Sequence, residues 1–298
     1  MLDQFCYRVY LPSLDRYEYY KELTNKELIC IIKFSANDDD IGLSSYLEYL
    51  IEHTQTNKTY NHTRLDKFCV LFTMYGVCVK SDIKLTTKCE ETDQDYNVNM
   101  NVFNILNIIS NLEISRVDQI TDNGCIYHVD FPTEIYNQKE NISIYDVMKS
   151  IELHDEVYDM HEYTDDQKKK LISTLPGGVV SRIMKTLSDY NTIGSDKMYM
   201  SYNSPYVEDA VSHDHAVNLL NNEMYFTLKS ILSNNLKSFY EMAHGMSNNF
   251  NLSHEHYMSI TPAETQIYYD LMKNEIEQRQ KTTESETSKG IENTIPGV

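Results

Sequence analysis

Capping boxes set where several helices of this 298-residue chain begin. In a capping box, a Thr hydroxyl accepts a hydrogen bond from the amide three residues later, and a Glu or Gln there accepts one from the Thr amide. The pattern occurs at Thr24–Glu27, Thr164–Gln167 and Thr261–Glu264. In the last box Pro262 takes the first helical position, where its missing amide costs nothing. These boxes predict one helix early in the chain and at least two in its second half.

The N-terminal part is predicted to combine a strand with two helices. Alternating side chains over Phe5–Leu11, closed by Pro12, predict the strand. The helix that follows Thr24 ends near Asn37, and a second covers about Gly42 to Glu52. The apolar residues expected on the inner sides of these helices are Leu28, Ile29, Ile31, Ile32, Leu43, Leu47, Leu50 and Ile51.

The middle of the chain has mixed periodicity. Residues 65–72 begin polar and become continuously apolar, and residues 77–85 are typical of one or two strands. Alternation over Tyr96–Met100 predicts another strand, which changes to helical spacing through Val102, Ile105, Leu106 and Ile109. Ile126–Phe131 is a further strand candidate, ended by Pro132.

From about residue 143 the sequence predicts helices. The helix that starts after Thr164 should stop at Pro176-Gly177-Gly178, a long helix should span about Val211 to Glu241, and the last helix should run to about Gln280. The fold class is therefore α+β, with short strands and helices in the N-terminal part and a mainly helical C-terminal part. The predicted divisions are an α+β domain over 1–140, a helical domain over 141–280 and a flexible tail over 281–298.

The charge balance excludes binding to nucleic acid through a basic face. The chain has 26 Lys and Arg residues against 45 Asp and Glu residues, a net charge of −19. No apolar run approaches the roughly 20 residues of a membrane-spanning helix, and the first residues lack the pattern of a signal peptide. The six cysteines are irregularly spaced with no CxxC pair, which favours free thiols in a reducing cytoplasm, with partial metal ligation as the alternative.

A repeated Ser-His-acid-His pattern is the one candidate for metal chemistry. His213 and His215 form the first pair and His254 and His256 the second. On extended segments each pair would point one way, and four imidazoles together could bind Zn²⁺ or Fe²⁺. If the two segments are instead helix starts with Ser as N-cap, residues two apart face away from each other. We favour helix starts and expect no cofactor.

An acidic stretch without bases, residues 151–166, is the candidate partner-binding surface. It lacks the spacing and central glycine of an EF-hand loop, so a solvated face or a surface for a basic partner is favoured over a cation site. The residues predicted to bind a partner are Glu152, Asp155, Glu156, Asp159 and Glu162.

Several short motifs in this order resemble those of a known family. They are Leu11-Pro12-Ser13, the capped helix start at residues 23–27, Leu65-Asp66-Lys67-Phe68, Gly76-Val77-Cys78-Val79, Cys89, and the helix start within residues 259–268. This layout resembles the baseplate hub subunits and hub-assembly proteins of T-even-like tailed phages. The resemblance implies a non-enzymatic structural or assembly protein of a contractile tail, with other phage baseplate or tail proteins as partners.

The same resemblance implies a location in the host cytoplasm during assembly and in the virion baseplate. A transient assembly chaperone that leaves no copy in the particle is a second reading. A metal-dependent enzyme using the two histidine pairs is the alternative from a different class.

Overall fold

The structure is a computed structural model that describes most of the chain. The described residues are 5–57, 61–89, 91–110, 119–139, 142–154, 156–197, 201–203, 205–206, 212–214, 222–233 and 236–292. Helices predominate, and the strands form small antiparallel sheets, so the predicted α+β class is confirmed.

The N-terminal part is a β-hairpin packed on three helices. Its elements are β1 (Cys6–Leu11), β2 (Arg16–Lys21), α1 (Asn25–Ala36), α2 (Asp40–Thr54) and α3 (Arg64–Cys78). The predicted strand and both predicted helices are present, and the Thr24 capping box starts α1. All eight side chains predicted to lie inward on α1 and α2 are buried.

Helix α3 corrects the prediction of strand structure at residues 77–79. A second capping box starts it, since Thr63 Oγ1 accepts from the Asp66 amide at 3.2 Å and the Asp66 carboxylate accepts from the Thr63 amide at 2.8 Å. Almost every side of this helix is buried, so its sequence has no amphipathic period and resembles a buried strand.

A second hairpin and a short helix follow α3. They are β3 (Asp82–Lys88), β4 (Asp95–Asn101) and α4 (Val102–Ser110). The predicted strands at the start of β3 and in β4, and the change to helix after them, are confirmed. Helix α4 packs against α3 through its buried residues Val102 and Ile105.

A four-stranded antiparallel sheet occupies the middle of the chain. Its strands, in spatial order, are β5 (Gln119–Asp122), β6 (Cys125–Val129), β7 (Met148–Leu153) and β8 (Glu156–Asp159). The predicted strand at β6 is confirmed, but β7 and β8 replace the helical structure that we expected after residue 143. Helix α5 (Ile144–Val147) is a single turn between β6 and β7. The division at residue 140 stays a prediction, although β6 and β7 pair across it.

The C-terminal part is helical, with different boundaries from those expected. Its elements are α6 (Asp165–Ser173), α7 (Gly177–Lys197), β9 (Ser201–Asn203), β10 (Ser212–Asp214), α8 (Glu223–Leu232), α9 (Leu236–Phe250), α10 (His254–Ser259) and α11 (Pro262–Glu292). Gly177 opens α7, so the Pro-Gly-Gly segment separates two helices. The single long helix expected from Val211 is wrong, because β10, α8 and α9 occupy that span. Helix α11 continues well beyond the expected end at Gln280.

Buried polar residues of the N-terminal helices hold the C-terminal helices in place. The Asn25 side-chain amide donates to the Tyr257 carbonyl oxygen at 2.9 Å and to Thr265 Oγ1 at 2.6 Å. Arg64 Nη2 donates to the Ile135 carbonyl oxygen at 2.8 Å and to Asn222 Oδ1 at 3.2 Å. Buried polar groups are costly unless they are hydrogen-bonded, so these contacts fix how distant segments meet.

Candidate protein-interaction site

Strand β8 is an exposed edge of the four-stranded sheet and carries two of the predicted acidic residues, Glu156 and Asp159. It pairs only with β7 in that sheet, and its first three residues are exposed. The Val157 side chain is 64% exposed, which is unusual for a β-branched residue in a strand. An unpaired strand edge presents free amide and carbonyl groups, so it can template pairing with another chain.

The acidic residues surround this edge instead of sharing one face. Alternation along the strands places Glu152 and Asp159 on one face of the sheet and Glu156 on the other. Glu162 is exposed beyond the strand, at the end of a short 3₁₀ turn that the Asp159 carboxylate caps at 2.9 Å from the His161 amide. We call Glu152, Glu156, Asp159 and Glu162 the acidic edge. Asp155 lies outside the described residues.

Two of these acids have local partners. Glu152 lies 3.5 Å from His128 Nε2 on the neighbouring strand β6. Glu156 accepts a hydrogen bond from the Tyr158 hydroxyl at 2.8 Å, and this bond raises the pKa of Tyr158. The carboxylates are accessible and separate from one another, so the arrangement suits contact with a basic surface better than chelation of a cation.

The described histidines of the two pairs lie on different kinds of element, a strand and a helix. His213 lies on strand β10, so the expectation that Ser212 starts a helix is wrong, and His215 lies outside the described residues. Ser253 does start α10, where its hydroxyl accepts from the His256 amide at 3.2 Å, and His254 and His256 are both exposed. Among the residues that the structure describes, no three His, Cys, Asp or Glu side chains are grouped closely enough to hold a metal ion. The metal-enzyme alternative gains no support.

A polar cleft of about 720 Å³ lies between the end of α2, the start of α3 and strands β6 and β7. Its charged lining is mixed: Glu48 contacts the Lys67 ammonium, and Asp130 lies 3.8 Å from the Lys149 ammonium. Glu48 also accepts a hydrogen bond from the Ile135 amide at 2.9 Å. Because Glu48 and Asp130 already pair with lysines, the cleft offers hydrogen bonds more than strong charge.

Two further groups in the cleft are buried. The Tyr20 hydroxyl lies 2.6 Å from His62 Nε2, and burial lowers the pKa of His62. The Gln55 side-chain nitrogen is buried and has no hydrogen-bond partner among the described residues. The contact with the Tyr20 hydroxyl fixes the orientation of the His62 ring.

An aromatic surface that we did not predict from the sequence lies on the outer side of the β1–β2 hairpin. Tyr17 and Tyr19 are each 55% exposed, Tyr10 packs edge-on against Tyr17, and the Arg8 guanidinium lies 4.9 Å from the Tyr17 ring centre. We call this set, with Lys21, the aromatic face. Arg8 and Lys21 are the charged residues that the strand alternation places on this face.

A local signal for the aromatic face exists in the sequence. Residues 16–19 of strand β2 alternate between polar and aromatic. The turn before the strand contains Asp15, whose φ of 49° is a conformation that Asp and Asn adopt more readily than most residues. Tyr and Arg are enriched at binding hot spots, because they contribute large contact areas and directional polar groups.

Among the described residues, the surfaces that suit contact with another protein lie at strand edges: the acidic edge at β8 and the aromatic face of the β1–β2 hairpin. A family model described as "T4 bacteriophage base plate protein" matches residues 7–199, which is more than half of the chain. The chain therefore belongs to this family of T4-like phage baseplate proteins, and membership indicates a structural role in the virion baseplate, in contact with other phage proteins. No curated protein and no solved structure matches the chain. No helix in the described parts has the length and apolar character needed to cross a membrane.

Proposed function

We propose that the protein is a non-enzymatic component of the baseplate hub. It is assembled in the host cytoplasm, and protein–protein interfaces hold it in the hub. Membership of the baseplate family supports the structural role, and the acidic edge supports a specific contact surface. The observation that carries the proposal is an accessible strand edge surrounded by carboxylates, with Val157 exposed at its centre. A hydrophobic centre with a charged rim is the usual arrangement of a protein interface.

The acidic edge is proposed to bind a basic surface on a partner. Opposite charges speed the encounter of two proteins and fix their orientation, and the effect weakens as salt screens the charges. The proposed contact residues are Glu152, Asp155, Glu156, Asp159 and Glu162.

The first test changes the four acids of the acidic edge to their amides, with Asp159 changed to Asn so that its side-chain oxygen still caps the 3₁₀ turn. We expect weaker co-purification with co-expressed hub proteins, most clearly at low salt. The matched control neutralises four exposed acids on the C-terminal helices, Glu255, Asp270, Glu275 and Glu277. Wild-type recovery of hub proteins by the acidic-edge variant would refute this role.

The second test asks whether the protein remains in the particle. Mass spectrometry of purified virions should detect it in a fixed ratio to other baseplate proteins. Its absence from virions, combined with its presence in assembly intermediates, would support the transient-chaperone reading instead.

A further inference from the structure

Two strand edges of opposite charge are open on the same chain. Strand β1 pairs only with β2, and β8 pairs only with β7, within the described residues. The outer side of β1 presents Arg8 beside tyrosines, whereas β8 presents Glu156 beside Tyr158. Neither Arg8 nor Lys21 forms an ion pair within the described part of the chain.

We propose that β1 of one copy adds to β8 of a second copy, with Arg8 placed beside Glu156. This inference deepens the proposed function, because it identifies the basic surface met by the acidic edge as the aromatic face of another copy. The paired edges would join the β1–β2 hairpin to the four-stranded sheet of the neighbouring molecule.

Charge selects this pairing over the two other pairings of the same edges. Two β8 edges would bring Glu156 and Asp159 near their own copies, and two β1 edges would bring Arg8 near Arg8. Like charges on adjacent strands are unfavourable, and opposite charges are favourable. Only the β1–β8 combination is free of this repulsion. The same charged residues therefore disfavour β1–β1 and β8–β8 contacts and favour the β1–β8 contact.

The tyrosines add contact area to the charge pair. On each strand the charged residue and a tyrosine are two positions apart, Arg8 with Tyr10 and Glu156 with Tyr158, so each pair shares one face. When the two strands run parallel with Arg8 beside Glu156, Tyr10 lies beside Tyr158, and such aromatic cross-strand pairs contribute stabilisation comparable to that of opposite charges.

The geometry of the contact is head-to-tail. Different surfaces of the two copies meet, so a bound pair leaves one β8 edge open on the first copy and one β1 edge open on the second, each available to another molecule. Such contacts close into a ring when the rotation between copies permits, and otherwise extend. A self-associating subunit of this kind would need no other protein to form its first contact.

The test uses the purified full chain and sedimentation velocity across a range of protein concentrations. We expect concentration-dependent self-association, about tenfold weaker in Arg8→Glu and in Glu156→Arg, and restored in the double variant that carries both changes. Lys273→Glu, an exposed charge reversal on α11, is the control with the same change of charge as Arg8→Glu.

Hydrogen exchange supplies a second readout that does not depend on the variants. Raising the protein concentration should protect amides of residues 6–11 and 156–159 and leave those of β5, the opposite edge of the same sheet, unchanged. A monomer at every concentration, or a double variant that stays as weak as the single ones, would overturn the inference. If the chain is monomeric but the acidic-edge variant still co-purifies with less of the hub proteins than the wild type does, the inference of self-association is wrong and the proposed function stands.

Discussion

His62 is a residue that the fold keeps in its uncharged form. It is buried, and its ring nitrogen lies 2.6 Å from the hydroxyl of the buried Tyr20. Burial lowers its pKa below the usual value of about 6.5, and the opposing influence of the nearby Asp66 does not reverse this. The folded protein therefore binds a proton at this site less readily than the unfolded chain does.

This difference predicts a stability that falls in mild acid. Above about pH 6.5 both states carry neutral His62, and as the pH drops toward the lower pKa of the folded state, the unfolded chain takes up the proton first. The thermal midpoint of the wild type should decrease over this interval. In His62→Gln, whose amide oxygen can still accept from Tyr20, the decrease should be smaller. Equal pH profiles for the two proteins would show that His62 does not carry the effect.

Residue-level prediction from sequence succeeded where burial follows a local period and failed where it depends on distant partners. Leu28, Ile29 and Ile32 were predicted to be inward from their spacing alone, and they are. Nothing near His62 indicates that Tyr20, 42 positions away, will meet it. The contacts of Asn25 with the C-terminal helices could not be predicted from the sequence either, because they depend on how whole helices pack.

At the scale of the element, Asp66 connects a helix start to a turn of the hairpin. Its carboxylate accepts from the amide and hydroxyl of Thr63 at 2.8 and 2.6 Å, and from those of Ser13 at 3.1 and 2.5 Å. The residue is almost fully buried. A carboxylate can satisfy four donors, whereas an amide replaces one acceptor oxygen with a donor nitrogen.

We therefore predict that Asp66→Asn lowers the free energy of unfolding by about 2 to 3 kcal/mol, because buried donors lose their acceptor. Asp146→Asn is the matched control, since Asp146 fills the same position in the capping box of α5 but is more accessible than Asp66. Its cost, including the lost contact with the Lys139 ammonium, should be about 1 kcal/mol. Urea unfolding of both variants checks the difference. Equal losses would mean that the contacts with Ser13 contribute nothing to stability.

The elements that sequence predicted well are those with a period or a complete cap. The boxes at Thr24, Thr164 and Thr261 each begin a helix, and the alternation at β1 and β4 marks strands. Helix α3 was missed because it is buried on nearly all sides and its box uses Asp in place of Glu or Gln. Strands β7 and β8 were missed because each carries charged residues, which are depleted in strands, and because each depends on a neighbouring strand, β7 on β6 and β8 on β7.

At the scale of the whole molecule, helices outside the part that matches the family model contribute to the hydrophobic core of that part. Helices α8, α9 and α10 contact α1, and α8 and α11 contact α3. Met224, Leu228 and Phe239 from these C-terminal helices are buried in the same core as the apolar residues of α1. The match to residues 7–199 therefore ends before the helices that cover α1.

This arrangement predicts that a chain truncated after Lys197 exposes apolar surface. Without α8 to α11, the side of α1 that carries Leu28 and Ile32 would face water, at a cost that rises with the exposed apolar area. We expect strong binding of the dye ANS and loss of a sharp thermal transition, features of a chain that has lost its specific packing.

Removal of residues 282–298 is the appropriate control for this truncation. The described side chains of α11 from Lys273 to Arg279 are exposed, and the buried contacts of the helix lie near its start, where Thr265 accepts from Asn25. The shorter deletion should therefore keep the thermal midpoint and the low ANS signal of the full chain. If the chain ending at Lys197 instead unfolds as sharply as the full protein, the N-terminal part is stable without the C-terminal helices, and their contacts with α1 serve attachment and not the common core.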